Sequence, residues 1–120
     1  MSSILVHATH GSEAPTRAAL ALLVARAAID EGHQVSVFLA GDAAALIRDA
    51  VLDSVTGLGT GKAREHFDAL VAGGARFYVS GMSAKARGLT DADLAGKPAE
   101  FAMPNVLVRL SLSHDRMFTY

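Results

Sequence analysis

Short apolar runs alternate with longer helical patterns along this sequence, and that alternation restricts the possible folds more than any other feature. Three runs rich in Val, Leu and Phe have the length of strands, namely 3–8 (SILVHA), 33–41 (HQVSVFLAG) and 75–80 (ARFYVS). Chains that alternate strands and helices form a parallel sheet with helices packed on it. We therefore predict an α/β three-layer sandwich, with a mostly parallel central sheet of about five strands and helices on both faces.

The helical patterns between these runs differ in clarity. The clearest is 15–31 (PTRAALALLVARAAIDE), which has a proline at an early helical position and is followed by a glycine. A second helix is predicted to begin at Asp42 (DAAALIRDAV), with Asp42 as its N-cap, and a third covers 63–74 (AREHFDALVAGG). The intervening segment 53–62 (DSVTGLGTGK) is interpreted as a mobile glycine loop that could act as a lid over a neighbouring subunit.

The last third of the chain is less regular. A short helix is predicted over 89–96, a fourth strand over 99–103 and a last strand over 116–120. The segment 104–115 (PNVLVRLSLSHD) is open to two interpretations, because its alternating valines are typical of a strand whereas Pro104 is typical of a helix start. We favour the helix, since it continues the alternation of strands and helices.

Composition limits the classes of function. A chain of 120 residues predicts a single domain over 1–120, and no apolar run reaches the roughly 18 residues of a membrane helix. The net charge of −1 and the scattered Lys and Arg argue against a nucleic-acid or membrane partner. The N-terminus lacks the pattern of a signal peptide, so a cytoplasmic location is predicted. With 51% hydrophobic and only 19% charged residues, the chain should keep apolar surface for a homo-oligomeric interface.

Cysteine is absent, which excludes disulfides, thiolate metal sites and thiol catalysis. The pair His7 and His10 forms an H-x-x-H pattern, but strand alternation need not turn both rings the same way and no third ligand is visible, so no metal site is predicted. The glycine-rich 57–62 (GLGTGK) does not match a phosphate-binding loop, because alanine follows its lysine and no strand precedes it. We expect no cofactor, and we expect His33, His66 and His114 at the surface.

The polar candidates for a site follow the three predicted strands. Ligands of open parallel sheets bind beyond the carboxyl ends of the strands. The segments 9–17, 40–44 and 80–88 lie there, and we call them together the strand-end rim. Its polar residues are Thr9, His10, Ser12, Arg17, Asp42, Ser80, Ser83, Lys85 and Arg87. The candidate ligand-binding residues among them are His10, Ser12, Arg17, Asp42, Ser80, Ser83 and Arg87.

Each of these residues also has a structural interpretation. Small polar residues at a strand end, such as Ser80 and Ser83, are typical of turns and helix caps. Arg87 could orient an anionic group or pair with an acidic residue, and Gly88 could simply end a helical turn. His10 is the best candidate among the histidines for a site residue.

The chain resembles the DsrE/DsrF-like family, which includes sulfur-relay subunits of the Tus type. The resemblance rests on the first strand with HGSEAPTRAALALLVARAAIDEGHQVSVFLAGDAA, and on FYVSGMSAKARGLTDADL, and it extends over almost the whole chain. After its third strand the family often has a cysteine, sometimes a second one three residues later, and then Arg-Gly. Ser80 and Ser83 stand where the cysteines would be, and Arg87 and Gly88 match the Arg-Gly.

The resemblance implies the fold, a trimer or hexamer, and the location of the site. It does not imply sulfur transfer here, because carrying a persulfide needs a thiolate, which a serine hydroxyl cannot replace without a strong base beside it. Three hypotheses follow. The favoured one is an oligomer that binds a small molecule or a partner protein at an interface rim. The others are an enzyme that uses His10 with Ser80 or Ser83, and a structural subunit that pairs with a cysteine-bearing paralogous protein.

Overall fold

The computed structural model describes all 120 residues and has a five-stranded parallel sheet at its centre. The strands of this sheet are β1 (Ser3–Ala8), β2 (Gln34–Leu39), β5 (Arg76–Ser80), β6 (Ala99–Ala102) and β7 (Arg116–Thr119), and the hairpin strands β3 (Thr56–Gly57) and β4 (Gly61–Lys62) stand apart from it. Across the sheet the order is β6-β5-β2-β1-β7, and every pairing is parallel. The predicted α/β fold is confirmed.

Six α-helices and one 3₁₀ helix complete the chain. They are α1 (Pro15–Asp30), the 3₁₀ helix (Gly41–Ile47), α2 (Asp49–Ser54), α3 (Ala63–Ala72), α4 (Gly81–Ala86), α5 (Asp91–Leu94) and α6 (Pro104–Ser113). None of them has both the length and the apolar character needed to span a bilayer. The helical interpretation of 104–115 is confirmed, with Pro104 in the first helical turn.

The larger core lies between the sheet and the pair of helices α1 and α3. Side chains alternate between the two faces of a strand, so Val6, Val37 and Phe77 all point to this side and are fully buried. The ring of Phe77 packs against that of Phe67 from α3, with 4.7 Å between the ring centroids. This packing fixes the sheet whose strand ends carry the candidate site.

The opposite face of the sheet has a thinner cover, the single helix α6. Its core contains three buried residues and the half-buried side chains that pack on them: Leu5, Phe38, Ala102, Ala40, Tyr78, Val106, Leu107 and Leu110. No residue of α6 is itself buried, and Val108 and Leu112 are 59% and 82% exposed. Apolar surface therefore remains on this side of the molecule.

The single helix predicted from Asp42 is wrong in its form. The segment is the 3₁₀ helix followed by α2, with Arg48 extended between them. The buried residues of the first part recur at spacings of three, which suits a helix with three residues per turn: Ala43, Ala44, Leu46 and Ile47. Arg48 leaves the helical path and directs its guanidinium to Asp93, with nitrogen to oxygen distances of 3.0 and 3.1 Å.

The segment 53–62, predicted as a mobile glycine loop, instead holds the end of α2 and a short hairpin. Strands β3 and β4 form a small antiparallel hairpin that lies against the start of α1. The amide of Leu58 donates to Thr16 Oγ1, and Thr60 Oγ1 donates to the carbonyl of Thr16, each at 3.1 Å. Two-residue strands carry no hydrophobic periodicity, so the sequence could not show them.

Candidate functional site

The carboxyl ends of β1, β2 and β5 meet at one edge of the sheet, and the three segments of the strand-end rim follow them. The segment after β1 touches the one after β2 through backbone atoms. A Cβ added to Gly11 would lie 2.3 Å from the carbonyl oxygen of Asp42, a separation that real Cβ atoms do not show. Only glycine therefore permits this close approach at position 11.

The serines after β5 are bound to backbone amides. The predicted loop at 80–88 is helix α4 over Gly81–Ala86, and Ser80 is the N-cap, accepting a hydrogen bond from Ser83 N at 3.3 Å. Ser83 Oγ accepts from the amide of Gly41 at 2.9 Å, which ties α4 to the end of β2. Both hydroxyl oxygens thus serve local structure, and Ser80 is buried.

Arg87 also links α4 to the segment after β2. Its guanidinium donates to Asp42 Oδ1 at 2.7 Å and to the carbonyl of Ser83 at 3.1 Å. A guanidinium with these two partners spans the gap between α4 and the 3₁₀ helix. The structure therefore brings Asp42, Ser80, Ser83 and Arg87 into one cluster, as the sequence predicted for the rim, but their contacts are mainly with one another.

His10 forms a second cluster at the start of α1. Its Nδ1 is 2.9 Å from Glu13 Oε2, and its Nε2 is 3.4 Å from a guanidinium nitrogen of Arg17. Because arginine can only donate, Nε2 is the acceptor and Nδ1–H donates to Glu13. Sequence reasoning missed Glu13, although its spacing of three residues from His10 was a usable signal. Ser12 is exposed beside this cluster.

No side-chain hydrogen bond joins the His10 cluster to the cluster of Asp42, Ser80, Ser83 and Arg87. Strand β2 lies between β1 and β5 in the sheet, so the segment with His10 and the helix with Ser80 and Ser83 are separated by a strand. The hydrogen bonds of His10 go to Glu13 and Arg17, and neither serine takes part in them. The histidine and serine pair required for nucleophilic catalysis is absent from this arrangement.

The remaining histidines are more buried than the sequence suggested. His66, expected at the surface, is 5% exposed, because it shares the inner face of α3 with Phe67. Its Nε2 is 2.7 Å from the carbonyl oxygen of Thr60, which holds the hairpin in place. His33 and His114 are half-buried. His7 contacts Phe38 edge-on, and burial lowers the pKa of its imidazole.

A cavity of about 410 Å³ opens beside α4, and we call it the α4 cavity. It lies at the carboxyl ends of β5 and β6, next to the rim. Its walls are Gly81, Ala84, Lys85, Gly88, Leu89, Thr90 and Phe101. Gly81, Ala84, Lys85 and Gly88 belong to the rim segments named from the sequence. The other lining residues could not be predicted from the sequence, because Phe101 comes close to α4 only through the pairing of β6 with β5.

The outer wall of the α4 cavity is held by Arg48. This guanidinium donates to the carbonyl of Gly88 at 3.0 Å as well as to both carboxylate oxygens of Asp93. The hydrogen bond from Arg48 holds the pKa of Asp93 below its usual value, so this pair is ionised at neutral pH. Asp93 in turn accepts from the amide of Thr90 at 2.9 Å. The cavity wall is therefore fixed by charged hydrogen bonds.

Comparison with known proteins shows which family has this sequence and which solved structures share this architecture. The model of the DsrE/DsrF-like family matches residues 2–120 of the chain. The chain belongs to the DsrE/DsrF-like family. Among solved structures, the ychN protein from E. coli is 18% identical with a TM-score of 0.80, and both chains are covered completely. A protein of unknown function from Methanobacterium thermoautotrophicum, MTH1491, is 12% identical with a TM-score of 0.66, again over all of both chains. A search of curated proteins gave no match.

Membership of the DsrE/DsrF-like family confirms the resemblance found in the sequence. This member has no cysteine anywhere in its chain. Ser80 and Ser83 occupy the end of β5 and the first turn of α4, and Arg87 and Gly88 follow them. At such low identities, the similarity to the two solved structures bears on the fold alone.

Proposed function

We propose that this DsrE/DsrF-like protein is a homo-oligomer, a trimer or hexamer, that binds a small molecule or a partner protein at the strand-end rim and carries no persulfide. The observation that supports binding is the α4 cavity, which lies beside the helix that Ser80 caps and that contains Ser83. Its volume falls within the range of small-molecule sites. A position at the carboxyl ends of parallel strands is where such folds bind ligands.

The enzyme hypothesis has less support than binding. A serine nucleophile needs a base within hydrogen-bond reach, and both serine oxygens here accept from backbone amides while His10 is bonded to Glu13 and Arg17. The hypothesis of a structural subunit in a mixed assembly remains the main competitor, and it is an outcome of the assembly experiment below.

The proposed oligomer rests on the exposed apolar side chains of α6 and β7. They are Val108 and Leu112 of α6, Met103 just before it, and Met117 of β7, which lies beside Leu5 on the same face of the sheet. Large apolar residues grouped on the thinner side of the sandwich are typical of a surface that another subunit covers. A second copy of the same chain is the simplest occupant, because an apolar face can pair with the same face of another subunit around a two-fold axis, the kind of contact that would join two trimers into a hexamer.

Native mass spectrometry of the purified protein tests assembly and ligand together. We expect a trimer or hexamer that carries additional small-molecule mass. Leu112→Glu on α6 should shift the protein to smaller species, since it places a charge in the apolar contact. Leu58→Glu is the matched control, because Leu58 is 90% exposed on the hairpin and lies outside the proposed contact. A wild-type monomer would contradict the oligomer. A homo-oligomer without extra mass would contradict a retained ligand and leave the enzyme and structural-subunit hypotheses standing.

Ser83→Cys tests whether the site still favours a thiolate. The amide of Gly41 donates to the side-chain oxygen at this position, and a thiolate there would keep that donor. We expect a thiol pKa below the ordinary value of roughly 8.5, measured as the pH dependence of alkylation by iodoacetamide. Ser54→Cys, at an exposed position on α2, is the control and should titrate near the ordinary value. An unshifted pKa at position 83 would show that the corner no longer stabilises an anion.

A further inference from the structure

We propose that the α4 cavity binds a small molecule with one negative charge and an apolar body, such as a carboxylate with a hydrocarbon or aromatic group, and that Lys85 is its counter-ion. This inference rests on the proposed binding function and specifies the ligand class of the same site. Three observations support it: the walls of the cavity are largely apolar, Lys85 is the one nearby cation without a carboxylate partner, and hydrogen bonds hold the outer wall in place.

The walls are apolar where a ligand's body would lie. Ala84 and Leu89 are buried members of the main core, and Phe101 is a half-buried ring from the edge strand β6. Gly81 and Gly88 add no side chain to fill the space, and nothing lies within 4 Å of the position that a Cβ on Gly88 would take. An apolar group that enters this space would leave water for a hydrophobic surface, which favours binding.

The charges around the cavity single out Lys85. Each neighbouring cation has a carboxylate partner: Arg87 pairs with Asp42, Arg48 with Asp93 and Lys97 with Asp49. Lys85 lines the cavity and makes no ion pair or side-chain hydrogen bond within the chain. The ammonium group of Lys85 therefore has no ion-pair partner in the chain, and the carboxylate of a ligand in the cavity would provide one.

One uncompensated cation matches one negative charge. A phosphate monoester would bring a second charge, and the nearby guanidinium of Arg87 is already bonded to Asp42 and to the carbonyl of Ser83. Holding that extra charge against Phe101 and Leu89 would cost desolvation with no partner to offset it. The hydroxyl-bearing Thr90 adds one further polar group at the wall. The combination favours a carboxylate.

The cavity is formed before a ligand arrives. Arg48 holds the carbonyl of Gly88 and the carboxylate of Asp93, and Asp93 accepts from the amide of Thr90, so the outer wall from 88 to 93 is bonded at both ends. Because the wall is already ordered, binding does not incur the entropy cost of ordering it. Binding should therefore be detectable for a molecule as small as 3-phenylpropanoate.

The test is a titration of the full-length protein followed by amide chemical shifts, with three probes: 3-phenylpropanoate, its uncharged primary amide and inorganic phosphate. We expect saturable shifts at Gly81, Ala84, Gly88 and Leu89 with 3-phenylpropanoate, weaker binding of the amide and no saturation with phosphate. Lys85→Met should weaken binding of 3-phenylpropanoate roughly fivefold, as expected for an exposed ion pair. Lys62→Met is the control, because Lys62 is an unpaired exposed lysine on β4, away from the cavity. It should bind as the wild type does.

The outcomes separate the ligand class from the site. If the amide binds as tightly as the carboxylate, or if Lys85→Met binds as the wild type does, the charged ligand class is overturned while binding at the cavity stands. If phosphate saturates the same amides more tightly, the class is likewise overturned in favour of a phosphorylated ligand. If no probe causes saturable shifts at the lining residues, the proposal of a small-molecule site fails together with the ligand class.

Discussion

Leu70→Ala should lower the free energy of unfolding by about 3–5 kcal/mol. Leu70 is fully buried on α3, within the core that this helix forms with α1 and the sheet. Truncating it removes buried apolar atoms and leaves a cavity that the surrounding helices and strands can only partly close. Urea denaturation followed by circular dichroism, at one fixed protein concentration because subunit association adds to stability, measures the change.

The matched control for this substitution is Leu58→Ala. The same atoms are removed, but Leu58 is 90% exposed at the tip of the hairpin, so the change should stay within about 0.5 kcal/mol. Equally small losses would mean that the packing of α3 does not carry the stability assigned to it. Equally large losses would mean that the hairpin tip is buried in the assembled protein.

Gly11→Ala should destabilise the protein by about 1–3 kcal/mol and displace the strand-end rim. The new Cβ would lie 2.3 Å from the carbonyl oxygen of Asp42, and neither backbone can yield without moving its loop. The movement should reach Arg87 through its ion pair with Asp42. Urea denaturation measures the loss of stability, and amide chemical shifts of residues 41, 42 and 87 report the displacement.

Gly81→Ala provides the comparison. It lies at the start of α4, and its Cβ would meet nothing closer than Met103 Sδ at 3.4 Å, an ordinary contact. Alanine also favours a helix over glycine by up to about 1 kcal/mol, so stability should be kept or raised. If Gly11→Ala were as stable as Gly81→Ala and left the shifts of the rim unchanged, the close approach between the two rim segments would be refuted.

The architecture could be predicted from the sequence because its signals are local. Apolar runs and glycine stops mark β1, α1, β2 and β5, and Pro104 favoured the helix α6 that the structure contains. The 3₁₀ helix and the hairpin were missed for opposite reasons. The first has buried residues at a spacing that suggests an ordinary helix over a short stretch, and the second has strands too short to show any period.

The sequence predicted where the candidate site lies, but not which of its residues are neighbours. Strand ends placed His10, Asp42, Ser83 and Arg87 on one rim, but the sequence does not show which strands are neighbours. The position of β2 between β1 and β5 separates His10 from the serines, and the pairing of β6 with β5 builds the α4 cavity around Phe101. Both facts depend on contacts between residues far apart in the chain, which local patterns do not record.

The pairing of β7 with β1 joins opposite ends of the chain, Ile4 with Arg116, and this has a consequence for biogenesis. While the protein is being synthesised, β1 can pair on its β2 side as soon as β2 is available, but its other edge stays open until β7 has left the ribosome. An apolar strand with an open edge can pair with other chains. The growing polypeptide therefore keeps one open strand edge until residues 116–119 can pair with β1, and slow synthesis of the segment between β2 and β7 would prolong that period.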